Sequence, residues 1–457
     1  MNGLAVSRKL VDCAGVVHGS FRSVPRNSNR KVISMRSKYL LCLSSFVIAA
    51  FVRAQTLETI PADPYFAKFK PVKAPQPAGL VLQKGDRLAI CGDSITEQRQ
   101  YSQIMETYLA VCVPELEVTV RQYGWGGETA PGFFGRMVSD CLRFKPTVAT
   151  TCYGMNDHGY GPYRQDIGDR YRESSTKIVQ AFKAAGARVI QGSPGCVSHK
   201  DEALNLNLCT LRNLGIEIAQ AESVGFADVF WPMFTAEFAA HQKYAADYWI
   251  AGGDGVHPGW AGHLVMAYAF LKSLGLSGDI GTFTVDLKAN KADVSAGHEL
   301  AAFGGGELKI VSRRYPFCAT GALNQDNSVR SGMTLVPFNQ DLNRMVLVVK
   351  NGDAQSYKIS WGAESKTYPA EALAKGVNLA DDFAVNPFSE AFRKVEEAVA
   401  AKQAHETRQV KDLFHGPEFR HFADEVVALT EKVRTPLAEN LKTAFVPVTH
   451  TITITPQ

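Results

Sequence analysis

Apolar and polar positions follow two different rhythms along the chain. From Asp86 to about Gly275, short apolar runs of strand type alternate with longer segments in which apolar residues recur at helical spacing. The predicted strands are 87–91, 118–123, 147–153, 188–192 and 226–231. The predicted helices are 98–112, 131–143, 168–185, 202–222 and 259–274. This alternation predicts an α/β fold, a five-stranded parallel sheet with helices on both faces in three layers.

The rhythm changes after Gly275. Polar and apolar residues then alternate over short runs separated by turns, which predicts a small antiparallel β module over 276–375. The predicted strands of this module are 282–287, 307–311, 344–350 and 356–361. Residues 376–457 are predicted to be a helical C-terminal region, because 388–445 consists mostly of good helix formers, and this region closes with a strand at 449–455. The α/β core itself is predicted over 85–275, preceded by an extended, proline-rich lead-in at 55–84.

Residues 1–54 are predicted to be a leader rather than part of the fold. A short basic segment precedes an apolar run of 14 residues, 39–52, and a small residue, Ala54, follows. This is the pattern of a secretory signal peptide over 35–54, and the run is shorter than the roughly 20 residues that span a membrane. The upstream residues 1–34 are predicted to be untranslated or unstructured. We therefore expect a secreted or periplasmic protein that begins at Gln55 and has no stable membrane span.

Charge and cysteine content exclude several classes of protein. The full chain has 49 Lys and Arg against 45 Asp and Glu, but nine of the basic residues and one of the acidic residues lie in 1–54, which leaves 40 against 44 and a net charge of −4. The charge gives no reason to expect nucleic acid as a partner. Seven cysteines follow the leader without CxxC spacing, which argues against a metal ribbon or a disulfide scaffold, although a bridge between Cys196 and Cys209 stays open.

The first chemical candidate is the serine in Ile90-Cys-Gly-Asp-Ser94-Ile-Thr-Glu97, at the end of the first predicted strand. Two interpretations are open. A serine between a strand and a helix is a common N-cap, which accepts a hydrogen bond from a free backbone N–H. The same place also suits a nucleophile, because the hydroxyl faces a cleft and the helix N-terminus favours developing negative charge.

Three further strand ends carry suggestive residues. The second strand runs into the glycine-rich turn Tyr123-Gly-Trp-Gly-Gly-Glu-Thr129, and the third runs into Tyr153-Gly-Met-Asn-Asp157. Beyond the fifth strand lies Gly253-Asp-Gly-Val-His-Pro258, in which Asp254 and His257 are close enough to meet. The same D-x-x-H spacing recurs at 412–415, in the helical tail, where we interpret it as packing. His158, His199 and His263 are likewise interpreted as structural.

In their order and placement, these blocks resemble the GDSL or SGNH hydrolase superfamily. The resemblance covers about 190 residues and is carried by Gly92-Asp-Ser94, by Gly127 in Gly-Glu-Thr, by Gly154-x-Asn156-Asp, and by Asp254-x-x-His257. Isoleucine stands where the family has leucine after the serine. The resemblance implies the flavodoxin-like SGNH fold and a secreted, bacterial-type esterase.

The resemblance also implies a role for each residue. Ser94 would attack an ester carbonyl, His257 would accept and return the proton, and Asp254 would orient the imidazole. The backbone N–H groups of Ser94 and Gly127 and the side-chain amide of Asn156 would form the oxyanion hole. Asp93 and Asp157 are predicted to brace their turns. No metal or organic cofactor is expected.

The substrate is predicted less directly, from aromatic residues in the loops. Trp125, Tyr153 and Trp249 are predicted to stack on sugar rings. Many exported members of the superfamily that the chain resembles remove acetyl groups from polysaccharides. The resemblance therefore implies the leading hypothesis, O-deacetylation of a carbohydrate, with a small ester or acetylated polysaccharide as substrate. Packing of these rings under the loops is an equally open interpretation. A secreted lipid or aryl esterase is the second hypothesis, and a non-catalytic glycan-binding module is the third.

Overall fold

The central sheet contains five parallel strands in the order β2-β1-β3-β4-β5. A computed structural model of the protein describes residues 56–244 and 247–457. The strands are β1 Arg87–Gly92, β2 Thr119–Gly124, β3 Val148–Cys152, β4 Arg188–Gly192 and β5 Gly225–Ala227. Buried residues run almost uninterrupted along β1 and β3, as expected for parallel strands that are covered on both faces. The prediction of an α/β fold with a five-stranded parallel sheet is confirmed.

Helices connect the strands and cover the sheet. They are α1 Ser94–Glu97, α2 Gln100–Val111, α3 Ala130–Asp140, α4 Gln165–Ala184, α5 Glu202–Glu222, α6 Phe230–Lys243 and α7 Trp260–Ser273. Two buried apolar clusters lie on either side of the sheet, one including Ile90 of β1 and the other including Ala89. Neighbouring residues of β1 therefore serve opposite layers, as the strand pleat requires.

The fifth strand is shorter than its apolar run predicts. The sequence indicates a strand over 226–231, but β5 ends at Ala227 and α6 begins at Phe230. The hydroxyl of Ser193 accepts hydrogen bonds from the N–H groups of Val229 and Phe230, both at 2.9 Å, and so turns the chain into the helix. Because the first turn of α6 is as apolar as the strand before it, periodicity alone did not separate the two.

The chain after α7 forms two further sheets. The strands are β6 Asp279–Asp286, β7 Lys291–Val294, β8 His298–Gly304, β9 Glu307–Ser312, β10 Arg344–Lys350, β11 Ser356–Trp361, β12 Glu364–Pro369, β13 Val377–Asn378 and β14 Val448–Pro456. Their orders are β13-β10-β6-β7 and β12-β11-β14-β9-β8. The prediction that this module is antiparallel is wrong for one pair, since β6 and β10 are parallel. Alternation along a strand shows which face is buried but not which direction the neighbouring strand runs.

The C-terminal helices complete the chain. The short helices are α8 Val329–Gly332, α9 Phe338–Asp341, α10 Ala370–Lys375 and α11 Leu379–Asp382, and the long ones are α12 Ser389–Arg408 and α13 Ala423–Ala444. A π-helical turn, Gln409–Leu413, extends α12. The final strand β14 lies between β9 and β11, so the end of the chain completes a sheet that begins with β8, about 150 residues earlier. Residues Gln55–Gln457 form one compact unit, and the predicted boundaries at 275 and 375 stay predictions.

The proline-rich lead-in is more than an extended arm. Asp63 caps a 3₁₀ helix at Pro64–Lys68, and the rings of Phe66 and Phe69 are buried against Phe234 of α6. The prediction of an extended lead-in is therefore wrong for the helical residues Pro64–Lys68, and two buried aromatic side chains fix the segment. The predicted signal peptide lies outside the described residues. No helix of the described part is long and apolar enough to cross a membrane.

Candidate active site

The four sequence blocks meet at one edge of the central sheet. Ser94 follows β1, the Gly127 turn follows β2, and Asn156 follows β3. The segment that carries Asp254 and His257 lies directly before α7. Since the carboxyl ends of parallel strands share one edge, this is where α/β proteins place their ligands.

Ser94 is the first residue of α1 but not its cap. The N-cap is Asp93, whose carboxylate accepts the N–H of Ile95 at 3.0 Å. Burial raises the pKa of Asp93 to about 7. Because Asp93 makes the capping bond, the hydroxyl of Ser94 is available, and it lies 2.8 Å from Nε2 of His257.

The loop between Asp254 and His257 holds the imidazole in one orientation. Oδ2 of Asp254 lies 2.7 Å from Nδ1 of His257, while its Oδ1 accepts the N–H groups of Val256 and His257 at 2.9 and 2.8 Å. A carboxylate only accepts, so the ring proton sits on Nδ1 and Nε2 accepts from Ser94. Burial raises the pKa of Asp254, but the two N–H groups and the ring favour the carboxylate more, and the net pKa is lowered.

The tight loop depends on Gly252. Its φ is +81°, and a Cβ at this position would lie 1.7 Å from the carbonyl oxygen of His257. The side chains of Asp254 and His257 are 56% and 35% exposed, so the site opens directly to solvent.

Three N–H donors lie on the blocks around Ser94. Within the described residues, the N–H groups of Ser94 and Gly127 donate to no protein acceptor. Gly127 adopts a φ of +72°, a conformation that glycine takes without strain. Nδ2 of Asn156 donates one hydrogen bond, at 3.0 Å, to the carbonyl oxygen of Glu128, which leaves its second N–H free.

A buried ion pair supports the glycine-rich turn. Arg136 of α3 donates to both carboxylate oxygens of Glu128, at 2.6 and 2.7 Å, and both side chains are almost fully buried. Glu128 is in turn the residue whose carbonyl receives Asn156. A bidentate guanidinium–carboxylate pair has a fixed geometry, so it fixes the turn and the amide together. The sequence analysis missed this pair, although Glu128 directly follows Gly127.

Asp157 connects two loops of the same region by hydrogen bonds. Its carboxylate accepts the N–H of Ala130, at the start of α3, and the N–H of Gly154, both at 3.0 Å. Burial raises the pKa of Asp157 to about 6 despite these bonds. The side chain is thus engaged in holding two loops.

The C-terminal region contacts the site through the π-helical turn. Nζ of Lys411 lies 2.6 Å from one carboxylate oxygen of Glu97, and the other oxygen accepts the N–H of Gly126. The ring of His415 packs edge-on against Trp125, with centroids 4.7 Å apart. Nε2 of His415 bonds to Asp140 at 2.8 Å, so the second D-x-x-H segment packs against the core.

The predicted substrate-binding aromatics differ in their surroundings. Tyr153 is only 1% exposed, stacks on Phe133, and donates its hydroxyl to Glu128 at 3.0 Å. The prediction that Tyr153 binds substrate is therefore wrong, because the strand end turns its ring into the core. Trp125 is half-buried beneath His415, and Trp249 is half-buried beside His199 and Lys200.

Tyr160 is a further aromatic residue in the loops around the site. It is 51% exposed, and its hydroxyl donates to Oδ1 of Asn156 at 3.1 Å. Tyr160 thus brings an exposed aromatic ring next to a predicted oxyanion donor. Its φ of +51° is unusual for a tyrosine, and no sequence pattern indicates it.

Ser94, His257 and Asp254 thus form a continuous hydrogen-bond chain at the edge of the central sheet. Residues 90–265 match the model of the GDSL-like lipase/acylhydrolase family, and this match places the protein in the class of carboxylic ester hydrolases. The resemblance predicted from the four blocks is confirmed. No curated protein sequence matches the chain.

Several solved structures are similar. A gut microbial diltiazem-metabolizing enzyme has a TM-score of 0.67 and 20% identity, covering 83% of this chain and 100% of its own. A catalytic mutant of an acetylxylan esterase from Geobacillus stearothermophilus has a TM-score of 0.38 and 21% identity, covering 43% and 97%. An alpha/beta hydrolase enzyme from the metagenome of Lake Arreo, Spain, has a TM-score of 0.37 and 22% identity, covering 43% and 98%. The first likeness shows a shared fold well beyond residues 90–265, and the other two are too weak to support a conclusion.

Proposed function

We propose that the chain hydrolyses esters with Ser94 as nucleophile, His257 as general base and acid, and Asp254 as the group that orients the imidazole. The observation that carries this proposal is the continuous hydrogen-bond chain, 2.8 Å from Ser94 to His257 and 2.7 Å from His257 to Asp254. Such a chain lets a neutral hydroxyl lose its proton as it attacks.

The proposed reaction has two halves. Oγ of Ser94 bonds to the ester carbonyl carbon while its proton passes to Nε2 of His257, and the carbonyl π electrons move to the oxygen. The N–H groups of Ser94, Gly127 and Asn156 stabilise this oxyanion. When it collapses, the bond to the alkoxy oxygen breaks and His257 protonates the departing alcohol. A water molecule, deprotonated by His257, then releases the acyl group from Ser94 as a carboxylic acid.

Replacing Asn156 with alanine tests the side-chain donor of the proposed oxyanion hole. We expect kcat to fall about 10²- to 10³-fold, because one donor to the oxyanion is lost while nucleophile and base remain. Steady-state kinetics on 4-nitrophenyl acetate measures this. Asn440→Ala, on the exposed side of α13, is the matched control and should keep its activity. Full activity of Asn156→Ala would remove this residue from the proposed site.

For the substrate we propose O-acetyl groups of a carbohydrate. The solvent-exposed His257 and Asp254 leave room for a large acceptor, and an acetyl group needs no long acyl channel. Tyr160, three residues after the Gly154–Asp157 block, has a strongly exposed aromatic ring, and aromatic rings commonly pack against sugars. A lipid esterase would instead need an apolar groove at this place, so exposure favours the carbohydrate over the lipid or aryl alternative.

Comparison of three esters separates these possibilities. The secreted chain would be incubated with 4-nitrophenyl acetate, 4-nitrophenyl octanoate and acetylated xylan, each beside Ser94→Ala. We expect acetate release from the glycan and faster cleavage of the short ester, both lost in the variant. Faster cleavage of the octanoate would instead favour a lipid esterase. Absence of turnover on every ester would contradict the proposed activity itself.

We further propose that the protein is exported, on the basis of the basic and apolar pattern of residues 35–54. N-terminal sequencing of the secreted chain should then find Gln55 first. Secreted material that begins at Met1 would contradict this proposal.

A further inference from the structure

Three side chains that can bind metal meet beside the candidate active site. His199 follows β4, while Glu237 and His241 are four residues apart on α6 and therefore lie on one face of the helix. Each offers one ligand atom, and the three atoms lie within 4.8 Å of one another. The sequence gives little sign of this cluster, because His199 and Glu237 are 38 positions apart.

The carboxylate of Glu237 is fully buried. Its Oε1 accepts the backbone N–H of His199 at 3.0 Å and faces Nδ1 of the same residue at 2.9 Å, and its Oε2 accepts the N–H of Ala251 at 3.3 Å. Among residues 56–244 and 247–457, no lysine or arginine forms an ion pair with it. A buried carboxylate without a cationic partner is costly, so the site favours a bound cation.

His241 supplies an independent observation. Its Nε2 is buried and has no hydrogen-bond partner within the described residues. The ring packs edge-on against His199 and Trp249, with centroids 4.7 and 5.1 Å away. A hydrogen bond between Glu237 and His199 would explain those two residues as purely structural, but it leaves the buried nitrogen of His241 unsatisfied.

We propose that His199, Glu237 and His241 bind one divalent transition-metal ion, with Zn²⁺ as the best match to two imidazoles and a carboxylate. Ligand atoms about 2.0–2.1 Å from a tetrahedral ion lie roughly 3.3 Å apart, so the 2.9 Å gap between Nδ1 of His199 and Oε1 of Glu237 must open slightly. The proton of the neutral His199 ring moves to Nε2 when Nδ1 coordinates. A water molecule completes the shell, and the charge of the ion offsets that of Glu237.

Hydrogen bonds join the proposed metal site to the loop that carries Asp254 and His257. The carboxylate of Glu237 accepts a hydrogen bond from the N–H of Ala251, and the N–H of Ser198 donates to the carbonyl oxygen of Gly255 at 2.9 Å. The ring of Trp249 stacks on His199 at 5.8 Å. The proposed ion therefore anchors the loop from outside, as a structural ion that touches no reacting atom. This inference does not depend on the proposed substrate.

Cobalt binding to the intact, tag-free chain tests the site. Bound metal is first removed with a chelator, and Co²⁺ is then added. We expect about one Co²⁺ to bind per chain and to give the intense visible absorption bands of a tetrahedral site. We also expect the bound Co²⁺ to quench tryptophan fluorescence, and this quenching should be smaller in Trp249→Phe. Zn²⁺ should displace Co²⁺ and raise the Tm of the wild type. Failure of the wild type to bind Co²⁺ or Zn²⁺ stoichiometrically would overturn the proposal.

Ligand variants locate the ion. His241→Gln and Glu237→Gln, checked for folding by circular dichroism, should bind at least about 100-fold more weakly, since loss of an outer partner alone costs about 10- to 100-fold. His421→Gln removes an exposed histidine outside the cluster and should bind like the wild type. Unchanged affinity in folded His241→Gln would overturn the proposal. If Glu237→Gln does not fold, the proposal is tested by the metal affinity of His241→Gln and by the quenching of Trp249 fluorescence on Co²⁺ binding.

Discussion

Ser94→Ala is expected to lower kcat on 4-nitrophenyl acetate by about 10⁴- to 10⁶-fold while leaving the protein folded. The physical reason is that, among the residues the structure describes, no hydroxyl other than that of Ser94, at 2.8 Å, is hydrogen-bonded to Nε2 of His257. Removal of Oγ leaves no atom to form the acyl-enzyme, although the N–H donors still polarise a bound ester. Rates are best measured with a highly purified variant, because traces of wild type would mask so large a loss.

The matched control is Ser365→Ala. Ser365 is an exposed serine on β12, in the C-terminal sheets, and its hydroxyl has no part in the proposed reaction. We expect this variant to keep its kcat within about twofold, since most surface substitutions change little. If Ser94→Ala retained more than about a tenth of wild-type turnover, Ser94 would not be the nucleophile.

Asp254→Asn is expected to lower kcat by about 10³- to 10⁴-fold at neutral pH. The amide oxygen can still accept the N–H groups of Val256 and His257, so the loop is retained. The amide nitrogen, however, would donate to Nδ1 of His257, which forces the ring proton onto Nε2. That tautomer cannot accept the proton of Ser94, so the loss is expected to lie in kcat rather than in KM.

Asp412→Asn is an internal control for this prediction. Asp412 has the same spacing to His415 as Asp254 has to His257, but His415 bonds to Asp140 instead. We expect wild-type kinetics from Asp412→Asn. Equal effects of the two substitutions would contradict the role proposed for Asp254.

The central sheet could be predicted from sequence because its strands are buried on both faces. Continuous apolar runs such as 87–91 and 147–153 have few alternative explanations when helices of matching period separate them. The apolar segment at 226–231 shows the limit of this reasoning. A run that ends a strand and begins a helix has a similar composition on both sides, and the Ser193 hydroxyl, from another loop, helps to mark the change.

The candidate site could be predicted because its residues stand at strand ends in a known order. Parallel pairing then brings Ser94, Gly127 and Asn156 to one edge, whatever the loops between them contain. The sequence left open whether Ser94 was a cap. In the structure the N-cap is Asp93, one residue earlier. Which of the two residues caps the helix depends on the backbone angles and not on composition.

The supporting contacts from the C-terminal region could not be predicted, because they join residues far apart in the chain. Lys411 reaches Glu97 across 314 positions, and nothing local to either residue indicates the pair. Tyr153 illustrates the opposite error. An aromatic residue at a strand end looks available to a ligand, yet its side chain follows the pleat into the core and bonds to Glu128.

Covalent labelling with a fluorophosphonate, followed by peptide mass spectrometry, tests the central claim most directly. Such reagents phosphonylate a serine only where a neighbouring base activates it and N–H groups receive the oxyanion. We expect one adduct per chain, on Ser94, and none in His257→Ala. An adduct on another serine, or an unlabelled Ser94 in a protein that still cleaves 4-nitrophenyl acetate, would contradict the account.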